Sequence, residues 1–300
     1  MFTVKETKAP GRPELVRAHR SLGDFDLKVL SDGACLFDGG AIFGVVPKAL
    51  WSRRMQSDEQ NRIVLGLNTV VVQTGTHTVV IETGLGDKLT PKQREIYGAQ
   101  GLLPTAFAQA AIRPEDVDVV INTHLHWDHC GWNTTRAEEG SVRPTFPNAR
   151  YYAHRGEVEH GRRQLERDAV SYIADNYEPL VASGQMTLLD PRPDEEQEIV
   201  PGIAVELFPG HTRQMLGVHI ESQGRRACYI ADLIPTSAHL DLTWGMGFDL
   251  DPLTVIEQKK RFYARAIPNE WLLLFTHDHQ TPLGRVTISS NGKPVLQAGE

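Results

Sequence analysis

Short apolar runs separated by Gly, Pro, Asp and Asn recur along this chain, and most are too short to be helices. DFDLKVL comes first. NTVVVQT and HTVVIET then flank Gly75-Thr76, which predicts two strands joined as a hairpin. A second apolar series follows in VDVVINT, ARYYAH, IAVELF, LGVHI, RACYIA and WLLLF. Helices are predicted between them at about Pro91 to Tyr97, Pro104 to Ala111, Arg155 to Glu166 and Pro252 to Ala266. The last has Asp251 as N-cap and Pro252 at its first position, with Leu253, Ile256, Tyr263 and Ile267 as its expected apolar stripe. The chain closes on GRVTISSNGKPVLQ, which reads as a hairpin around Asn291-Gly292. Strands in two groups, each followed by helices, predict two sheets packed face to face with helices outside.

Composition narrows the class. With 300 residues and 40% hydrophobic content the chain can bury a sizeable core. No linker, charge run or repeat divides it, so residues 1–300 are expected to form one domain, with 1–66 as an N-terminal extension and first strands. The N-terminus has no apolar leader segment, and no run reaches the roughly 18 apolar residues of a membrane span. A formal charge of -7 argues against a nucleic-acid partner, which calls for clustered Lys and Arg. Cys35, Cys130 and Cys228 are too few and too scattered for a disulfide framework, so a reducing compartment, by default the cytoplasm, is expected.

The chemistry concentrates in THLHWDH, which holds His124, His126, Asp128 and His129. A His-x-His pair at the end of a strand points both imidazoles the same way, so both can grip one ion. Asp128 and His129 follow where the chain turns away and can face a second ion. Three remote residues sit where predicted strands run out into loops: His211 in FPGHT, Asp232 after CYIA, and His277 after WLLLFT. Imidazole and carboxylate are the ligands that divalent first-row metals prefer. There is no G-x-S-x-G elbow and no phosphate loop.

In these seven residues, from about Leu67 to His277, the chain resembles the hydrolases of the metallo-β-lactamase superfamily. The resemblance implies the αββα four-layer sandwich and two divalent ions, zinc first, with manganese, iron or cobalt as alternatives. His124, His126 and His211 would hold one ion, Asp128, His129 and His277 the other, and Asp232 would bridge. A hydroxide shared by the metals would be the nucleophile, with Asp128 as the catalytic carboxylate that orients it or passes its proton to the leaving group.

Within that superfamily, DGGAIFGVVPKALW and ADLIPTSAHL look like the lactonase and organophosphate-hydrolase branch. The implied reaction is the opening of lactones, such as acyl homoserine lactones, or of related esters. Phosphotriester or thioester cleavage is the alternative. A mononuclear iron oxygenase resembling persulfide dioxygenases is the alternative of a different class, although His126 stands where oxidative diiron relatives commonly have a carboxylate. Two positions depart from the pattern. Pro235 stands three residues after Asp232, where several acyl homoserine lactonases have Tyr, and Glu82 stands where Asp is usual.

Trp127, Trp132, Phe43 and Trp244 are the candidate substrate contacts, in a mouth that also takes in Trp51, Met246 and Phe248. The other reading of these apolar residues is core or a homodimer interface built on the N-terminal extension. His160 is expected to be structural, His279 to support a ligand, and Cys130 to be a buried filler.

Overall fold

A computed structural model describes residues 14–298. The first thirteen positions of the expected N-terminal extension lie outside that range. Two seven-stranded sheets dominate, and in both the spatial order of strands follows the chain. The first sheet runs Val16–Leu22, Phe25–Asp38, Arg62–Gln73, Thr78–Ile81, Val119–Ile121, Arg150–His154 and Met186–Leu189. The second runs Gln197–Val200, Ile203–Leu207, Leu216–Ser222, Arg225–Tyr229, Leu272–Leu274, Leu283–Ile288 and Pro294–Ala298.

Alternation along the strands builds the layers. Val70 and Val72, Val79 and Ile81, and Val119 and Ile121 from the first sheet share one buried cluster with Val205, Val218, Ile220 and Tyr229 from the second. The intervening residues Val71, Val80 and Val120 point the other way, against Phe107, Val158 and Leu180 from helices Leu103–Gln109, Arg155–Arg163 and Glu178–Ala182. Helix Pro252–Ala266 covers the outer face of the second sheet, with Phe262 and Ala266 in its contact. The result is four layers: helix, sheet, sheet, helix. Each fully buried Val, Leu, Ile or Phe adds about 1.5–3 kcal/mol relative to exposure.

Both expected hairpins form. Thr74 N–H bonds to the His77 carbonyl across Gly75, whose φ of 88° supplies the left-handed turn. Leu283–Ile288 pairs with Pro294–Ala298 around Asn291-Gly292. Two helices differ at their ends from the sequence expectation. One runs Leu103–Gln109, and the other stops at Arg163 because Gln164 turns left-handed at φ 48°.

The helix Pro252–Ala266 is capped by Asp251 as expected, but its buried face follows the predicted stripe only in part, with Tyr263 in the core and Ile267 packed against it. Leu253 is 75% exposed, while Val255, Lys259, Phe262 and Ala266 face inward beside Tyr263. The face is set by Lys259, whose ammonium finds two backbone carbonyls inside the molecule, at His239 (2.8 Å) and Trp244 (2.6 Å). Among the described residues no helix is long and apolar enough to cross a membrane.

Candidate metal centre

All seven candidate ligands converge beyond the strand ends at one edge of the sandwich. His124 and His126 lie just past strand Val119–Ile121, and the short helix Trp127–Cys130 carries Asp128 and His129. That turn depends on Gly131, where a Cβ would come within 2.0 Å of the Leu85 backbone. Asp232 follows Ala231, whose φ of 46° bends the chain out of strand Arg225–Tyr229.

The ligand atoms form two groups that share Asp232. Nε2 of His124 lies 3.1 Å from Nδ1 of His126, which lies 3.3 Å from Nε2 of His211. His277 Nε2 lies 3.2 Å from His129 Nε2 and 3.8 Å from Asp128 Oδ2. Asp232 Oδ2 is 3.3 Å from His211 and 3.6 Å from His129, and its Oδ1 is 3.3 Å from His277. Ligands each about 2.0–2.2 Å from a common centre lie roughly 3.0–3.5 Å from one another, so these spacings fit ions better than imidazole–imidazole hydrogen bonds. Among the described residues the buried Asp232 Oδ1 has no hydrogen-bond donor, as expected of an oxygen facing a cation.

The far side of each ring is held. His277 Nδ1 donates to the Gly66 carbonyl at 2.9 Å, and His211 Nδ1 to Asp249 at 3.0 Å, which leaves both Nε2 lone pairs facing the centre. His124 Nδ1 meets the Thr123 hydroxyl at 3.0 Å. Glu82 takes the Thr123 N–H at 2.6 Å and faces His129 Nδ1 at 3.3 Å, so the departure from Asp at this position still braces two ligand segments. Glu157 does the same for the other cluster, accepting from Leu125 N–H, Thr212 and Tyr172.

Burial, reinforced by the neighbouring imidazoles, pushes His124 and His126 well below the ordinary histidine value, so both are neutral and able to ligate. On His129 burial acts in the same direction, yet Asp232, Asp128 and Glu82 together outweigh it and raise its pKa well above the ordinary value. Burial opposes ionisation of Asp232, but His277, His129 and His211 hold it well below the usual carboxylate range. A divalent ion would take over the charge balance that the His129 proton supplies.

A cavity of about 100 Å³ opens over Asp128, Asp232 and His277. Phe37, Tyr97, Trp127, Val170, Met246 and Phe248 form its apolar wall. A larger cavity of about 670 Å³ lies between Ser52–Gln56 and Thr236–Ala238 and touches no ligand.

Of the four expected substrate contacts, Trp127 alone lines the cavity over the ligands. Phe43 is fully buried between Trp51 (5.2 Å between ring centroids) and His239 (4.6 Å). Trp244 is buried in the same cluster beneath the Arg54 guanidinium, 3.7 Å from its ring. Trp132 donates from Nε1 to the buried Asp32 at 3.1 Å. Phe43, Trp51 and Trp244 thus cover one another within a single chain. His160 pairs with Asp168 at 2.7 Å, one ring behind Tyr172, and Cys130 packs in the core. Among the described residues the His279 ring makes no hydrogen bond to a ligand; its carbonyl accepts from Arg17.

Several residues of the site were not singled out from the sequence. Tyr97 and Val170 reach the cavity from distant segments, and Asp249 and Glu157 act from loops and helices whose pattern carries no metal signal. FDLDP, with a carboxylate between two apolar residues in a loop, was the one faint trace of Asp249.

A family model described as the metallo-beta-lactamase superfamily matches residues 62–277. N-acyl homoserine lactonase AiiB of Agrobacterium fabrum is 29% identical over 175 residues, 54% of this chain and 60% of the relative. The chain therefore matches only about 60% of the length of that curated relative. A probable metal-dependent hydrolase from Staphylococcus aureus superposes with a TM-score of 0.83 at 29% identity, covering 94% of this chain and 100% of the other. AidC, a dizinc quorum-quenching lactonase in complex with a product, superposes with a TM-score of 0.75 at 18% identity over 94% and 98% of the two chains, a likeness of fold.

Proposed function

The chain belongs to the metallo-beta-lactamase superfamily, and from that membership we propose a two-metal hydrolase that opens lactones or related carboxylic esters. One observation carries the two-metal part: His124, His126 and His211 on one side and Asp128, His129 and His277 on the other both close on Asp232. Two divalent ions held there would bring the pKa of a shared water toward neutrality and polarise the substrate oxygen. Zinc is the proposed metal, and manganese, iron and cobalt suit the same donors.

The chain's own groups supply the rest. Asp128 lies at the cavity floor with an oxygen 3.9 Å from His129 Nε2, placed to orient water and to carry its proton toward the leaving group. The aromatic wall excludes water and accepts an apolar acyl or ring portion. The lactone reading draws on the resemblance to AiiB and on the apolar wall. A homodimer in the cytoplasm completes the proposal, and the three buried, unpaired cysteines are consistent with a reducing compartment.

The test is metal content per chain by elemental analysis, on one preparation assayed with a lactone, an aryl phosphotriester and a thioester. About two metals with lactone turnover is the expected result. Turnover of the phosphotriester or thioester alone would overturn the substrate assignment, and one iron with no hydrolysis would move the protein to the oxygenase class.

A further inference from the structure

The cavity over the ligands is poor in hydrogen-bond donors. Outside the ligands themselves, only Tyr97 and Ser171 among the described residues bring a hydroxyl to its wall. Trp127 offers an indole N–H, but that residue is 5% exposed and packs into the cluster of Cys35, Leu67 and Leu85. Pro235, three residues beyond Asp232, has no donor, and its carbonyl is taken by the His277 N–H.

Tyr97 is built to hold a fixed position. It is the last residue of helix Pro91–Tyr97, which a capping box at Thr90 starts and the left-handed Gly98 stops at φ 57°. Its ring packs against Phe37 at 5.0 Å and Trp127 at 5.1 Å between centroids. Trp127 directly precedes Asp128, so Tyr97 leans on the same short helix that presents the proton-carrying carboxylate. The polar contacts of its helix are made by Thr90, Gln93 and Arg94, and the Tyr97 hydroxyl takes no part in them.

A half-buried tyrosine that lines the cavity, its hydroxyl making no hydrogen bond to the described residues, is suited to act as a substrate donor where a leaving oxygen gains charge. We propose that Tyr97 donates a hydrogen bond to the leaving oxygen of the substrate, an inference that rests on the ester and lactone reading above. Water adds its oxygen to the carbonyl carbon, the bond from that carbon to the leaving oxygen breaks, and one proton of the water ends on the leaving oxygen. Tyr97 keeps its own proton. Its hydrogen bond strengthens as negative charge builds on that oxygen, and a preorganised donor of this kind contributes about 10²–10³-fold in rate.

The test compares leaving groups on the metal-loaded enzyme. Tyr97→Phe should lower kcat/KM about 100-fold for a lactone or alkyl ester, whose alkoxide needs the donor, and less than about fivefold for a nitrophenyl ester, whose phenolate does not. Metal content and thermal midpoint should match the parent. Equal losses on both esters would overturn the proposal, since a ring that only shapes the cavity has no reason to sense the leaving group. A loss that depends on the leaving group in Ser171→Ala, and not in Tyr97→Phe, would overturn it in favour of Ser171. A parent enzyme that turns over none of these substrates would instead defeat the hydrolytic reading, before Tyr97 is in question.

Discussion

The Glu157 carboxylate and the Thr212 hydroxyl meet at 2.5 Å in the buried interior, joining helix Arg155–Arg163 to the loop that presents His211. The other Glu157 oxygen accepts from Leu125 N–H at 3.3 Å and from the Tyr172 hydroxyl at 3.2 Å. Leu125 lies between His124 and His126. One carboxylate therefore ties together both segments of one ligand group, while Glu82 ties Thr123 to His129 on the other side.

Glu157→Ala should weaken metal binding as well as the fold. It leaves three donors unpaired in the interior, at about 1–3 kcal/mol for each buried group. Loss of such an outer support typically lowers metal affinity about 10–100-fold. Urea denaturation of the metal-free protein would measure the first effect, and competition with a chromogenic chelator the second. Unchanged affinity in a destabilised fold would reduce Glu157 to a packing role.

Phe248 and Phe43 should separate cleanly under the same substitution. Phe248 lines the cavity and is 40% exposed, so Phe248→Ala should raise KM for apolar substrates several-fold with little change in thermal midpoint. Phe43 is fully buried against Trp51 and His239, so Phe43→Ala should cost about 3–5 kcal/mol of stability. A large KM effect from Phe43→Ala at full stability would contradict the placement of its ring.

Asp128→Asn tests whether this carboxylate does more than hold a metal. Asn keeps an oxygen for the ion but cannot carry a proton, so kcat should fall about 10²–10⁴-fold while metal content drops by less than half. Elemental analysis beside single-turnover kinetics decides the point. Parallel loss of metal and rate would leave Asp128 as a ligand and nothing more.

The sequence was readable where chemistry or short-range pattern is local. His124, His126, Asp128 and His129 occupy six residues, and Gly75-Thr76 and Asn291-Gly292 mark their own turns. The αββα arrangement came from the resemblance, because alternating strands specify faces and not partners. Aromatic residues near the motif could not be sorted by spacing alone. Phe43 and Trp244 find each other through a contact separated by about two hundred residues, and Tyr97 reaches the cavity from a helix with no metal signal of its own. The helix Pro252–Ala266 misled for another reason: a lysine is scored as solvent-facing by any apolar pattern, and only the carbonyls of His239 and Trp244 reveal why it points inward.

That lysine gives the protein a pH signature of its own. Burial lowers the Lys259 pKa from 10.5 to about 7, with Asp249 and Asp241 acting in the opposite direction. The folded value thus lies below the unfolded one. Between about pH 7 and 10.5 the unfolded chain holds a proton that the folded chain has released, so stability rises with pH across that window. Below about pH 7 both states carry the proton and the full cost of the buried charge is present. The slope from this one group is at most about 1.4 kcal/mol per pH unit. Lys259→Met loses the two carbonyl hydrogen bonds, which shifts its stability at every pH, but it also loses the slope. Urea unfolding of parent and variant at about pH 6.5, 8 and 9.5 should therefore show a difference that moves in the parent's favour as pH rises. A constant difference would mean that Lys259 keeps its proton in the fold, with its charge carried by the two carbonyls and the nearby aspartates.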